Sequence, residues 1–108
     1  MVLALAVAAA FAAPVQAQTV KVAVTAIVEH PALDAVRDGV KDALEAAGYK
    51  VGGNLVFSYK SAQGNPATAA QIARQFAGEA PNVIVPISTP SAQAVAAATR
   101  DIPVVFSA

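Results

Sequence analysis

Val20, Val22 and Val24 alternate with Lys21, Ala23 and Thr25, and Ile27 and Val28 extend the run. Alternation and β-branched content predict a strand. Its off-face residues are small as well, which predicts a central place in a sheet. From Pro31 the period changes: Leu33, Val36, Val40, Leu44 and Ala47 fall on one helical face. Asp34, Arg37, Asp38, Lys41, Asp42 and Glu45 decorate the other side, with Asp34–Arg37 and Asp38–Lys41 spaced to pair at i,i+3. Gly48 is expected just past the end of this helix. After a Gly52-Gly53-Asn54 turn, Leu55, Phe57 and Tyr59 alternate with Val56, Ser58 and Lys60. The more polar alternate positions predict a second strand toward the outside. Ala69, Ile72, Ala73 and Phe76 share a second helical face, which Gly78 ends. Val83 to Ile87 reads as a third strand. Its Pro86 removes a ladder donor, so it is expected near the carboxyl end, where pairing is finishing. A third helix is predicted from Pro90 to Thr99, with Ala92, Val95 and Ala96 inward, and Val104-Val105-Phe106 begins a fourth strand.

The order βαβαβαβ predicts an α/β fold: a parallel sheet with helices on its faces and right-handed crossovers. The strand order that suits it is flavodoxin-like, 2-1-3-4. One device recurs at three corners, His30-Pro31, Asn65-Pro66 and Thr89-Pro90. Each time a polar residue follows a strand and precedes a proline that opens a helix. Proline suits the first helical turn, and a polar residue before it can cap an orphan amide. If the strands are parallel, all three corners lie at the carboxyl edge of one sheet, where such folds bind ligands. The amides and dipole of a helix start favour an anion there. Thr89 is expected to be the cap of the third helix, with Ser91 also capping.

Composition narrows the class. The chain has 108 residues, 56% of them hydrophobic, enough for one small domain. Seven basic and seven acidic residues cancel, which argues against nucleic acid or a charged membrane surface as a partner. Without cysteine, disulfides, thiolate metal sites, cysteine nucleophiles and a lipid-modified N-terminal cysteine are excluded. With one histidine, neither a metal nor another cofactor is expected. Val2 to Ala13 is an apolar run too short to span a bilayer, broken by Pro14 and followed by Val15-Gln16-Ala17. This predicts an export signal over residues 1–17, cleaved after Ala17, although no basic residue follows Met1. The alternative is a buried N-terminal helix. Residues 18–108 then form the domain. A bare β-branched fourth strand is an edge that proteins avoid exposing. It predicts that this chain is the N-terminal piece of a longer protein.

Enzyme signatures are sparse. No G-x-G-x-x-G follows a strand, and neither a P-loop nor a G-x-S-x-G elbow is present. Ser88, Ser91 and Ser107 have only His30 as a conceivable base. His30 is either a structural corner or a ligand contact. Glu29 is either solvated or able to meet a ligand amine. Gln63 and Asn65 either shape a turn or touch ligand.

Four motifs in order carry a resemblance: Val28-Glu29-His30-Pro31-Ala32-Leu33-Asp34, Ala62-Gln63-Gly64-Asn65, Thr89-Pro90-Ser91-Ala92-Gln93 and Ile102-Pro103-Val104-Val105-Phe106-Ser107-Ala108. Together they resemble the substrate-binding proteins of ABC importers related to the tryptophan/tyrosine transport group. The resemblance covers Gln18 to Ala108. It implies the first lobe of a two-lobed type I periplasmic binding protein, a non-enzymatic role, and an amino acid ligand, aromatic in some members. It also implies delivery to a membrane permease with its ATPase, and a monomer when complete. Carried onto this chain, it places Thr89 and Ser91, with Ser88 beside them, at the ligand carboxylate. It places Glu29, His30, Gln63 and Gly64 along the same cleft, and Ser107 near the ligand at the end of the fourth strand. With no cysteine for lipidation, the expected location is a Gram-negative periplasm. Two other classes compete: an exported α/β hydrolase, and the ligand-sensing domain of a membrane receptor.

Overall fold

The computed structural model describes residues 19–107; the expected export signal and Ala108 lie outside them. Three strands and three helices alternate: β1 (Val20–Ala26), α1 (Pro31–Ala46), β2 (Leu55–Ser61), α2 (Pro66–Gly78), β3 (Val83–Ile87) and α3 (Thr89–Ala98). The sheet runs β2-β1-β3 with both pairings parallel. As expected, β1 is central and β2 lies outside. Alternation along β1 splits the core in two. Val22, Val24 and Ala26 face α1, joined by Leu55, Val85 and Ile87. Ala23 faces α2 and α3, and packs with Ile72, Phe76, Ile84 and Val95.

The fourth strand forms only in part. Residues 104 and 107 make isolated parallel bridges to Ile84 and Ile87 on the free edge of β3, the side an order 2-1-3-4 requires. Pro86 explains the gap. Ile84 N–H donates to Pro103, Ser88 N–H to Ser107, and Val105 N–H to Ile84. On that edge the next donor would be residue 86, and proline has none. Pro86 does sit near the end of β3, but its missing donor faces the newcomer rather than β1.

The helices agree with their apolar stripes except in detail. All four expected residues of α2 are buried. In α1, Leu33, Val36, Val40 and Leu44 are half-buried against the sheet, while Ala47 is exposed. α3 is rotated from the expected setting: Ser91 and Val95 are buried and Ala94 and Ala98 pack beside them, whereas Ala96 is exposed. An alanine-rich helix has little apolar contrast to orient it, and close approach to β3 and α2 sets its rotation instead. Gly48 takes the left-handed turn after α1 (φ 99°), as expected. Gly78 is still helical, and Ala80 makes the left-handed turn (φ 49°) that follows α2. Arg37 reaches Asp34 at 3.7 Å and its own neighbour Asp38 at 2.9 Å. Arg37 is thus the partner of Asp38, in place of the expected Lys41.

One face of the sheet is less covered than the other. Against α1 an open apolar groove of about 340 Å³ is lined by Val22, Val40, Leu44, Val83, Val85 and Phe106. Val105 and Phe106 stand 56% and 64% exposed beside it. The opposite face, sealed by Phe76 (1% exposed), carries the tighter packing. Phe76→Ala should therefore destabilise the full-length protein by about 3–5 kcal/mol in urea denaturation; a loss under about 1 kcal/mol would contradict this placement of the core.

Candidate functional site

Parallel pairing brings the carboxyl ends together. Ala26 is the register partner of both Ser61 and Ile87, so the corners after β1, β2 and β3 share one edge. Hydrogen bonds tie them. Ala62 N–H donates to Ala26 at 2.9 Å, Gly64 N–H to Ile27 at 2.7 Å, and Ser88 N–H to Ser107 at 2.9 Å. Gln63 and Gly64 are both left-handed (φ 55° and 78°), which turns the second corner back toward the first. Glu29, His30, Gln63, Gly64, Ser88, Thr89, Ser91 and Ser107 thus all belong to this edge.

The three helix starts are not equivalent. At α1, His30 Nδ1 accepts from Ala32 N–H at 3.1 Å. At α2, Asn65 Oδ1 accepts from Ala67 and Thr68 N–H at 2.8 and 3.3 Å. Both starts therefore satisfy amides with their own side chains. At α3 the cap is Ser88 rather than Thr89, and it makes no side-chain cap bond. The helix begins one residue earlier than expected, with Thr89 as its first residue and Pro90 as its second. Thr89 and Ser91 accordingly do not act as caps. The N–H groups of Thr89 and Ser91 fall in the first turn, where a helix offers no internal acceptor. Ser88 sits at φ 76°, ψ 163°. That region is almost confined to glycine, and a side chain there costs about 1–3 kcal/mol. The hydroxyls of Ser88 and Ser91 are buried without a partner. Each such orphan costs about 1–3 kcal/mol. The α3 corner thus joins a strained backbone to two unmet hydroxyls; Asp34 Oδ1 and Tyr59 Oη are also buried without a hydrogen bond, and Gln63 at the second corner also has positive φ.

Two features of this edge were not singled out by sequence. Thr25, 1% exposed and also without a hydrogen-bond partner, lies one residue before the end of β1. A threonine among Val and Ala on a central strand was the available signal. On the α1 side, the Arg37 guanidinium lies 4.8 Å from the centre of the Tyr59 ring. Burial pushes the Tyr59 phenol above its ordinary range, against the pull of Arg37, so it is neutral at pH 7. The hydrogen bond to Asp38 holds Arg37 further toward its charged form. Among the described residues no group of three metal-ligating side chains comes together. The apolar groove on the α1 face offers no converging donors and runs to the amino-terminal residues Val22 and Val83, so it is a poor match for a polar ligand.

The family model for ABC transporter substrate binding proteins matches residues 21–108. The chain belongs to that family. It is 41% identical over 87 residues to a tyrosine-binding protein of Clostridioides difficile (strain R20291), covering 81% of this chain and 25% of that one. A conserved domain protein from Vibrio cholerae O1 biovar El Tor superposes with a TM-score of 0.81 at 64% identity. The ligand-free, open form of a substrate-binding protein with adhesive properties from Clostridium difficile gives 0.79 at 45%. An ABC domain in complex with L-Trp from Streptococcus pneumoniae gives 0.78 at 31%. Each superposition covers 82% of this chain and 30% of the other. The chain thus spans about a quarter to a third of the length of these relatives.

The named relatives include a tyrosine-binding protein and a substrate-binding protein, whose names describe recognition. An uncapped helix start with two first-turn N–H groups and adjacent hydroxyls suits a small carboxylate. The strain at Ser88 is separable from that role. Ser88→Gly should raise stability by about 1 kcal/mol, since relief of strain exceeds the entropy lost by glycine. Asn65→Ala should lower it by about 1 kcal/mol through loss of a working cap. Denaturant midpoints of the full-length variants check both, and a fall in stability for Ser88→Gly would remove the strain from the account.

Proposed function

We propose that the chain contributes one ligand-binding edge to the exported solute-binding component of an ABC importer. It acts in the periplasm and hands an amino acid, of the aromatic class, to a membrane permease and its ATPase. The ligand carboxylate meets the open start of α3, taking N–H bonds from Thr89 and Ser91. Glu29, exposed beside the start of α1, is available to the ligand ammonium. Gln63, Gly64, His30 and Ser107 border the same opening. Closure of two lobes then excludes water from the bound zwitterion.

The observation that carries this reading is the contrast among the helix starts. The cap side chain meets Ala67 and Thr68 N–H at α2 and Ala32 N–H at α1, whereas at α3 it meets none and the first-turn amides lie beside orphaned hydroxyls. The tyrosine-binding relative and the structure solved with L-Trp support the choice of ligand class.

Thermal unfolding of the full-length protein across the twenty amino acids tests it. L-tryptophan or L-tyrosine should raise the melting temperature, since a ligand at 100 times its Kd stabilises the native state by about 2.7 kcal/mol. Tryptamine and tyramine, which lack the carboxylate, should bind more than about tenfold weaker. No shift with any amino acid would overturn the ligand class. Equal binding of the amines would overturn the carboxylate corner.

A further inference from the structure

The two flanks of α1 differ. Leu33, Val36, Val40 and Leu44 form the stripe that meets the sheet. Every charged residue of the helix lies on the outer side or on the flank toward β2, where Arg37 reaches the Tyr59 ring. The flank toward β3 carries only Ala32, Ala35, Gly39, Ala43 and Ala46, all exposed. Ala43 lines the apolar groove with Val83, Val85 and Phe106. Gly39 is the sharper observation. It lies inside a 16-residue helix and has no positive φ. A Cβ built there would meet nothing within 4 Å among the described residues. Glycine weakens a helix interior relative to alanine, so neither the helix nor its described neighbours account for it. A second helix crossing α1 at close range does account for it, because interaxial distance falls with the size of the side chains at the crossing.

Topology limits where that helix comes from. α1 leads from β1 outward to β2, whereas α2 and α3 lead the other way and lie on the opposite face. This is the right-handed crossover rule. A further crossover beyond residues 104–107 in the same direction would place its helix beside α3, away from the groove. No charged side chain lines the groove, which is the character of a core rather than of a separable interface with a polar rim. We propose that the groove and the small-residue flank of α1 seat a helix of the same polypeptide from beyond Ala108, one that returns to this face after strands have ceased to be added on the β3 side. The relatives have the length for it, since this chain spans about a quarter to a third of theirs. The returning helix lays apolar side chains against Val83, Val85 and Phe106 and crosses α1 at Gly39 and Ala43. It covers Val105 and Phe106, the most exposed of the large apolar residues.

The test uses the full-length protein. A photo-crosslinking phenylalanine analogue in place of Phe106, followed by peptide mapping, should give a product of monomer mass. The joined peptide should lie more than about a dozen residues beyond Ala108, past the next crossover. Crosslinks confined to residues 1–108 or to that crossover, a product of twice the mass, or no crosslink would overturn the proposal. Gly39→Leu should melt at least about 3 °C below the wild type through overpacking. An open flank gives the opposite sign, because leucine is the better helix former. A melting temperature at or above that of the wild type would therefore overturn the close crossing. Glu45→Leu, on the outer side of α1, should stay within about 1 °C of the wild type. If Gly39→Leu fails to fold, the crosslink at position 106, which keeps an aromatic ring there, decides alone.

Discussion

Parallel pairing of β1 with both of its neighbours is the constraint on which the rest of the molecule depends. It sends the three chain reversals after β1, β2 and β3 to one edge, and it makes every crossover helix start there. It also leaves β1 central, with helices over both of its faces, which is why Val22 to Ala26 are all buried. A polar side chain on such a strand, like that of Thr25, has few partners within reach. The functional edge and the unsatisfied hydroxyl are thus consequences of one pairing pattern.

The same local device, a polar residue before proline, gives two different outcomes at that edge. His30 and Asn65 adopt extended backbone and fold their side chains onto the first-turn amides. Ser88 is held by Ser107 through its N–H and is driven into a left-handed conformation, from which its hydroxyl makes no cap bond. Bridging of residues 104–107 to β3 and the exposure of amides at α3 are therefore linked. Pro86 weakens that bridging on the same edge, so the chain after α3 is joined to β3 only at its two ends.

Much of this was legible in the sequence. Period-two and period-three-to-four patterns located each strand and helix, because Val20 to Val24 and Ala69 to Phe76 have strong apolar contrast. The proline corners located the edge. What was not legible depends on tertiary contacts. The rotation of α3 is set by packing, since alanine distinguishes its faces poorly. The cap moved from Thr89 to Ser88 because a long-range bond to Ser107 fixes that backbone. Asp38 took Arg37 rather than Lys41 because the guanidinium also lies over Tyr59, a residue distant in sequence. Thr25 went unnoticed because its interest lies in what it fails to meet.

The central claim is that one helix start receives the ligand's negative group and the other two do not. Backbone amide resonances of the full-length protein, followed as L-tryptophan is added, test it most directly. The account predicts that the Thr89 and Ser91 amides move downfield most, as they gain a charged acceptor. The Ala32 and Ala67 amides, already bonded to His30 and Asn65, should move little. Saturable binding that leaves Thr89 and Ser91 unmoved, or that shifts Ala32 and Ala67 instead, would contradict it.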